Sequence, residues 1–182
     1  MKKYQIIYAD PPWAYNESGS GNRVVSSKYP TMQIDDIEKL PIRYITDSNC
    51  ILWLWVTFPR LQEGIRLMSS WGFKYKGLGF IWVKMNKSSF GFFYGMGYYT
   101  RQNPEICLIG RIGRILTLRH DISCVYQSVI QEHSKKPSAI RSLIVDICGD
   151  LPRIELFARQ KVEGWDCWGN EVESDIELES RK

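Results

Sequence analysis

The residue types best suited to chemistry lie in three stretches. Asp10-Pro11-Pro12-Trp13 delivers a carboxylate, a backbone stiffened by two prolines and an aromatic face within four residues. His133-Ser134-Lys135-Lys136-Pro137 stands just before an amphipathic run, so Lys136 falls at a helix start, where the macrodipole disfavours a cation. A cation in that place points to an external anion, whereas Ser134 needs no role beyond capping. Phe90 to Tyr99 interleaves glycines with aromatic rings and fits neither a helical nor a strand period. Rings on such a loop either stack on nucleic-acid bases or fill the core.

Secondary structure must bring these groups to one place. Tyr4, Ile6, Ile7, Tyr8 and Ala9 form an apolar run rich in β-branched and aromatic residues, which predicts a buried strand ending abruptly at Asp10. Open α/β sheets bind ligands outside such strand ends, although Asp-Pro-Pro could equally cap a turn. Residues 14–33 are rich in Gly, Ser and Asn, carry Arg23 and Lys28, and have no apolar period; they read as a binding loop or lid, or as a disordered insertion. Ile34, Ile37 and Leu40 predict a short helix that Pro41 ends. Ile51–Val56 reads as a central strand, Leu61, Ile65 and Met68 as a helix between Pro59 and Gly72, and 73–84 as a further strand. Strand, helix and strand in succession predict a βαβ unit, hence a parallel sheet with helices on its faces. Strands at 105–110 and 123–130 follow, then a helix carrying Ile140, Leu143, Ile144 and Ile147 and closed by Gly149. A strand at 153–158 and a turn-rich closing segment at 164–171 end the fold. Gly110-Arg111-Ile112-Gly113 matches the GXXG loop of KH domains, but a glycine-bounded turn explains it better.

A chain of 182 residues with 44% hydrophobic content predicts one domain, residues 1–170, followed by an acidic tail at 171–182 that is disordered at its end. The five cysteines are odd in number and show no metal-ligand spacing, so they read as buried reduced thiols of a cytoplasmic protein without a metal centre. The short start before the first strand leaves no room for a signal peptide. No apolar run approaches a membrane span of ~18 residues. Net charge is +4, and the tail carries −3, which leaves +7 on the body. That balance, with Arg101, Arg111, Arg114 and Arg119 in one half, favours a polyanionic partner.

Taken in order, Tyr8-Ala9-Asp10-Pro11-Pro12-Trp13, Trp82-Val83-Lys84, Glu105-Ile106-Cys107-Leu108-Ile109-Gly110, the His133–Pro137 stretch, Glu155-Leu156-Phe157-Ala158-Arg159 and Gly164-Trp165-Asp166 through Gly169-Asn170-Glu171 resemble the DPPW-type adenine-N6 methyltransferases. This is the family of the catalytic subunit of the eukaryotic messenger-RNA adenosine methyltransferase, and the likeness is to its DNA-modifying bacterial and phage branch. The resemblance implies a single α/β domain of Rossmann-like methyltransferase type, with a mostly parallel sheet and helices on both faces. It implies methyl transfer from S-adenosylmethionine to the N6 amine of adenine, in DNA more than RNA, by direct in-line displacement on a flipped or single-stranded base.

By the same resemblance, Asp10, Pro11, Pro12 and Trp13 form the catalytic tetrad. The Asp10 carboxylate and Pro11 carbonyl accept the two hydrogens of the target amine, and Trp13 stacks on the base. Lys136 binds the methionyl carboxylate of the cofactor, and Asp10, Phe157, Arg159, Asn170 and Glu171 complete the cofactor site. Tyr15, Arg23, Lys28, Lys84, Tyr98 and Arg101 are expected to meet nucleic acid, and a second copy or a partner subunit could add specificity. Two departures stand out: the acidic segment that precedes the tetrad in longer members is absent here, and Glu171 replaces Gln. A non-catalytic nucleic-acid-binding relative would have lost the tetrad, which is intact. A glutamine-amide methyltransferase would show Asn-Pro-Pro-Tyr after a Gly-rich loop, and neither is present.

Overall fold

Alternation of side chains along two central strands determines the architecture. In β1 (Tyr4–Ala9) Ile7 and Ala9 enter one core while Ile6 and Tyr8 enter the other; in β2 (Thr46–Val56) Leu52, Leu54 and Val56 oppose Ile51, Trp53 and Trp55 in the same way. With both faces apolar, the strands must be covered on both sides. The computed structural model describes residues 2–14, 31–97, 99–131 and 135–178. The remaining elements are α1 (Ile34–Glu38), α2 (Leu61–Ser70), β3 (Lys74–Met85), β4 (Glu105–Ile112), β5 (Val125–Val129), α3 (Ala139–Cys148), β6 (Arg153–Leu156) and β7 (Asp166–Trp168).

The strands form one seven-stranded sheet in the order β5-β3-β4-β2-β1-β6-β7. Helices α1 and α2 contribute Ile37, Leu67 and Met68 to the first core, and α3 contributes Ile140, Ile144 and Cys148 to the second. This is a Rossmann-like α/β domain with helices on both faces. Four of its strand pairings are parallel, β1 with β2 and β6, β3 with β5, and β6 with β7, while β4 runs antiparallel to both β2 and β3. The expected βαβ unit is therefore present with β4 inserted between its strands. β2 and β3 remain parallel to each other because each opposes β4.

Three local expectations are corrected. The closing segment contains a strand, β7, because Asp166–Trp168 pairs with Ile154–Leu156 at the sheet edge. β2 begins at Thr46, five residues before its continuous apolar run. Cys124 is exposed, whereas the other four thiols are buried. The acidic segment after Glu171 carries Ile176 and Leu178 onto the first core, and residues 179–182, where a disordered end is expected, lie outside the described residues. No helix among the described residues is long and apolar enough to cross a membrane.

Candidate active site

Register places Asp10 at the carboxyl end of β1. Ala9 pairs with Leu54 of β2 and with Leu156 of β6, so the chain leaves the sheet at Asp10 where β2 continues to Trp55 and β6 gives way to Phe157. Side-chain parity then decides what Asp10 meets. It follows Ile6 and Tyr8 onto the α3 face, and Glu155, Glu105 and Lys84 emerge on that same face, two residues from Cys107 or Trp82 in the latter two cases.

Lys136, three residues before α3, projects over this rim. Its Nζ lies 2.8 and 2.7 Å from the two oxygens of Asp10 and 3.1 Å from Glu105 Oε2, and 5.6 Å from the centre of the Trp55 ring. Glu105 in turn accepts a hydrogen bond from Lys84. A chain of alternating charge thus runs Asp10, Lys136, Glu105, Lys84. Burial opposes the charged form of Lys136, but Asp10 and Glu105 outweigh it, and its pKa is pushed up to about 12. Burial likewise acts to raise Glu105, yet Lys136 and Lys84 hold it below the ordinary carboxylate value. Asp10 moves the other way: burial pushes its carboxyl up, with Lys136 opposing.

Beside this chain is a cleft of ≈170 Å³. Three cation–carboxylate pairs line it: Asp10 with Lys136, Arg141 with Glu155, and Arg159 with Glu171 at 3.5 Å. The second is bidentate, both contacts at 2.6 Å, and lies over Tyr8, whose ring centre is 5.5 Å from the guanidinium carbon. Burial raises the pKa of Glu155, with Arg141 opposing. Phe157 closes one wall with φ +60°, a left-handed conformation costly for a residue with a Cβ, and its ring meets Trp168 edge-on at 5.4 Å. An adjoining hollow of ≈50 Å³ adds Pro12 and Asn170 to Asp10, Phe157, Arg159 and Glu171. Gly169 fixes this corner: a Cβ there would sit 2.3 Å from the carbonyl oxygen of Ala158.

The structure therefore brings together all six residues expected at the cofactor: Asp10, Lys136, Phe157, Arg159, Asn170 and Glu171. Within the tetrad, the Pro11 carbonyl accepts the Trp13 N–H at 2.9 Å, and Pro12 accepts the N–H of Met32. Trp13 is only 7% exposed, packs in the first core and donates its indole N–H to Trp55 O at 3.3 Å. Lys84 is committed to Glu105 and lies 5.2 Å from the Trp82 ring centre, inside the ion-pair chain instead of facing a phosphate. Arg101 is exposed on the connection between β3 and β4, outside the cleft. Tyr15, Arg23, Lys28, Tyr98 and the expected Ser134 cap lie outside the described residues. Glu105, Arg141 and Glu155 were not anticipated as site residues. The available signal was a charged side chain at a core-facing position of a strand or helix.

The MT-A70 family model matches residues 4–171. The chain is 36% identical to the type II methyltransferase M.MunI of Mycoplasma sp over 97% of its own length and 82% of that protein. It is 29% identical to the N(6)-adenosine-methyltransferase subunit METTL3 of Danio rerio and to the N(6)-adenine-specific methyltransferase METTL4 of Homo sapiens, spanning 29% and 38% of those longer chains. With the family match covering nearly every residue that builds the sheet and the cleft, the chain belongs to the MT-A70 family.

Proposed function

We propose that this protein transfers a methyl group from S-adenosylmethionine to the exocyclic N6 amine of adenine in nucleic acid, with DNA preferred to RNA. The observation that carries the reading is Asp10, delivered by β1 to the mouth of a cleft and held there by a buried cation. The donor set fits the cofactor. Lys136 would hold the carboxylate and Asp10 the ammonium of an amino-acid end, while Phe157, Arg159, Asn170 and Glu171 would hold the adenosine half. When bound, the cofactor supplies an electrophilic methyl group on a sulfonium.

The protein's own part is positioning and hydrogen bonding. The adenine amine delocalises its lone pair into the ring, so acceptors for its two hydrogens favour return of that pair to nitrogen. Asp10 offers one acceptor, and burial makes its carboxylate more basic than an exposed one. The Pro11 carbonyl offers the other, since its bond to Trp13 N–H uses one of two lone pairs. Pro11 restricts the backbone between them, Pro12 limits the swing of the Pro11 carbonyl, and Trp13 anchors the segment to the core.

The basic body fits either nucleic acid, and the preference for DNA rests on the far fuller coverage of the type II methyltransferase than of the adenosine methyltransferases. Tritium transfer from labelled S-adenosylmethionine to matched DNA and RNA, followed by nucleoside analysis, tests the proposal. Label in N6-methyladenine is expected, more from DNA. Label in cytosine, or in protein alone, would sink it.

A further inference from the structure

We propose that the connection between β3 and β4, residues 86–104, is a stacking platform that grips single-stranded nucleic acid beside the target adenine; the inference rests on the proposed function and extends it to a recognition surface. Because β3 runs parallel to β1, this connection emerges at the same end of the sheet as Asp10. It is a built feature. Phe93 N–H donates to Lys84 O at 2.9 Å, Asn86 N–H to Gly91 O at 3.1 Å and Gly95 N–H to Gln102 O at 2.6 Å, forming an irregular hairpin. The Asn103 side chain clamps its base, accepting from Lys84 N–H at 3.1 Å and donating to Lys84 O at 2.8 Å, with a further bond to Phe93 O. Through Lys84 the hairpin is tied to Glu105, Lys136 and Asp10.

On this frame the apolar side chains point outward. Phe90 and Tyr99 are essentially fully exposed, Met96 is 85% exposed and Tyr94 61%, with the Tyr94 and Phe92 rings edge-on at 6.5 Å. So many exposed large side chains in ten residues mark an interaction surface. Charge identifies the occupant: residues 86–104 contain Lys87 and Arg101 and no acid, so the surface suits a polyanion that also offers planar faces. Bases of a splayed strand expose those faces, whereas bases within a duplex are already stacked.

The test uses the full chain and fluorescein-labelled single strands of about twelve nucleotides, one DNA and one RNA of the same sequence, with the DNA duplex as comparison. Replacing three rings together, Phe90→Ala, Tyr94→Ala and Tyr99→Ala, should weaken single-strand binding about tenfold or more without changing its salt dependence. Lys87→Ser with Arg101→Ser should lower the salt slope by about 1.4. Melting temperature and S-adenosylhomocysteine affinity should stay at wild-type values in both variants. Equal binding by the ring variant overturns the proposal. So does a ring variant that binds normally but turns a dimer into a monomer in sedimentation, which would make the hairpin a contact between copies. If ring-dependent binding is found but no adenine is methylated, the proposed reaction fails and the platform stands; methylation with ring-independent binding is the converse.

Discussion

Removing Lys136 and removing Asp10 should have different signatures, although the two side chains touch. Lys136→Met leaves two carboxylates without their shared cation. Loss of one partner of a buried pair costs about 3–5 kcal/mol, and the low end applies here, because Asp10 keeps 22% of its side chain exposed and Glu105 keeps Lys84. Asp10→Asn is milder, about 1–2 kcal/mol, since Lys136 retains Glu105 and the Trp55 ring. The double variant should cost less than the sum by about 1–2 kcal/mol, the coupling of residues in direct contact. Ligand binding separates them further. Lys136→Met should weaken S-adenosylhomocysteine binding by about 1.5–3 kcal/mol, a charged hydrogen bond. Asp10→Asn should weaken it too, but by less, because Lys136, released from two hydrogen bonds, offsets part of the lost contact to the cofactor's ammonium, while methyl transfer is lost. Urea unfolding of the four proteins, calorimetry and single-turnover kinetics supply the numbers. Additive stabilities would show that the pair does not form in solution. An Asp10→Asn protein that kept methyl transfer at saturating cofactor would refute the assignment of Asp10 to the target amine.

The pKa of Lys136, about 12 against an ordinary 10.5, has a pH signature. The folded state holds this proton more tightly than the unfolded chain, so its stabilisation is complete below pH 10.5 and is lost as pH rises to about 12; the stability difference between wild type and Lys136→Met, from urea midpoints, should shrink across that window, and a difference that grew would contradict the pairing. Gly169→Ala forces a Cβ against the Ala158 backbone, so a loss of about 1–3 kcal/mol is expected, visible as a lower melting temperature with weaker S-adenosylhomocysteine binding. Phe157→Gly should be more stable than Phe157→Ala by about 1 kcal/mol, because both lose the ring but only glycine relieves the left-handed backbone; the reverse order in denaturant unfolding would deny the strain. An S-adenosylhomocysteine analogue lacking the α-ammonium should bind at least about tenfold more weakly, and equal affinity in calorimetry would remove Asp10 from the cofactor site.

Much of this was readable because strong local signals coincide with the site. An apolar run cut off by Pro11-Pro12 reads as a strand end, and β1 does end at Ala9, next to Asp10; Lys136, read as a cation at a helix start, stands three residues before α3 and is engaged by Asp10 and Glu105. What escaped depends on strand order. Glu105 reaches Lys136 only because β4 is inserted antiparallel between β2 and β3, and no local pattern in Glu105–Gly110 states its direction. The burial of Trp13 escaped for a related reason. An indole after two prolines could face a ligand or the core, and the bridge to Met32, far along the chain, turns it inward. β7 escaped because three residues at a sheet edge carry too short a pattern to separate from turns.

The charge pattern of the cleft limits what it can hold more tightly than its shape does. A lysine this deeply buried would lose its proton without compensation, so Lys136 can present a full charge at neutral pH only between two carboxylates. An incoming anion therefore meets a cation already engaged by Asp10, and displacing Asp10 alone would leave that carboxylate half-buried and unpaired. A zwitterion avoids the cost, because its carboxylate takes Lys136 while its ammonium takes Asp10, and the count of paired charges is preserved. The same logic disfavours a dinucleotide, whose pyrophosphate would bring two negative charges and no positive one into a cleft where Lys136, Arg141 and Arg159 already face carboxylates and, among the described residues, Lys135 is the one lining cation outside those three pairs. On the proposed reaction, that exchange would move Asp10 from a cation within the protein to one on the ligand and keep it at the β1 terminus, where its remaining lone pairs would be open to the target amine.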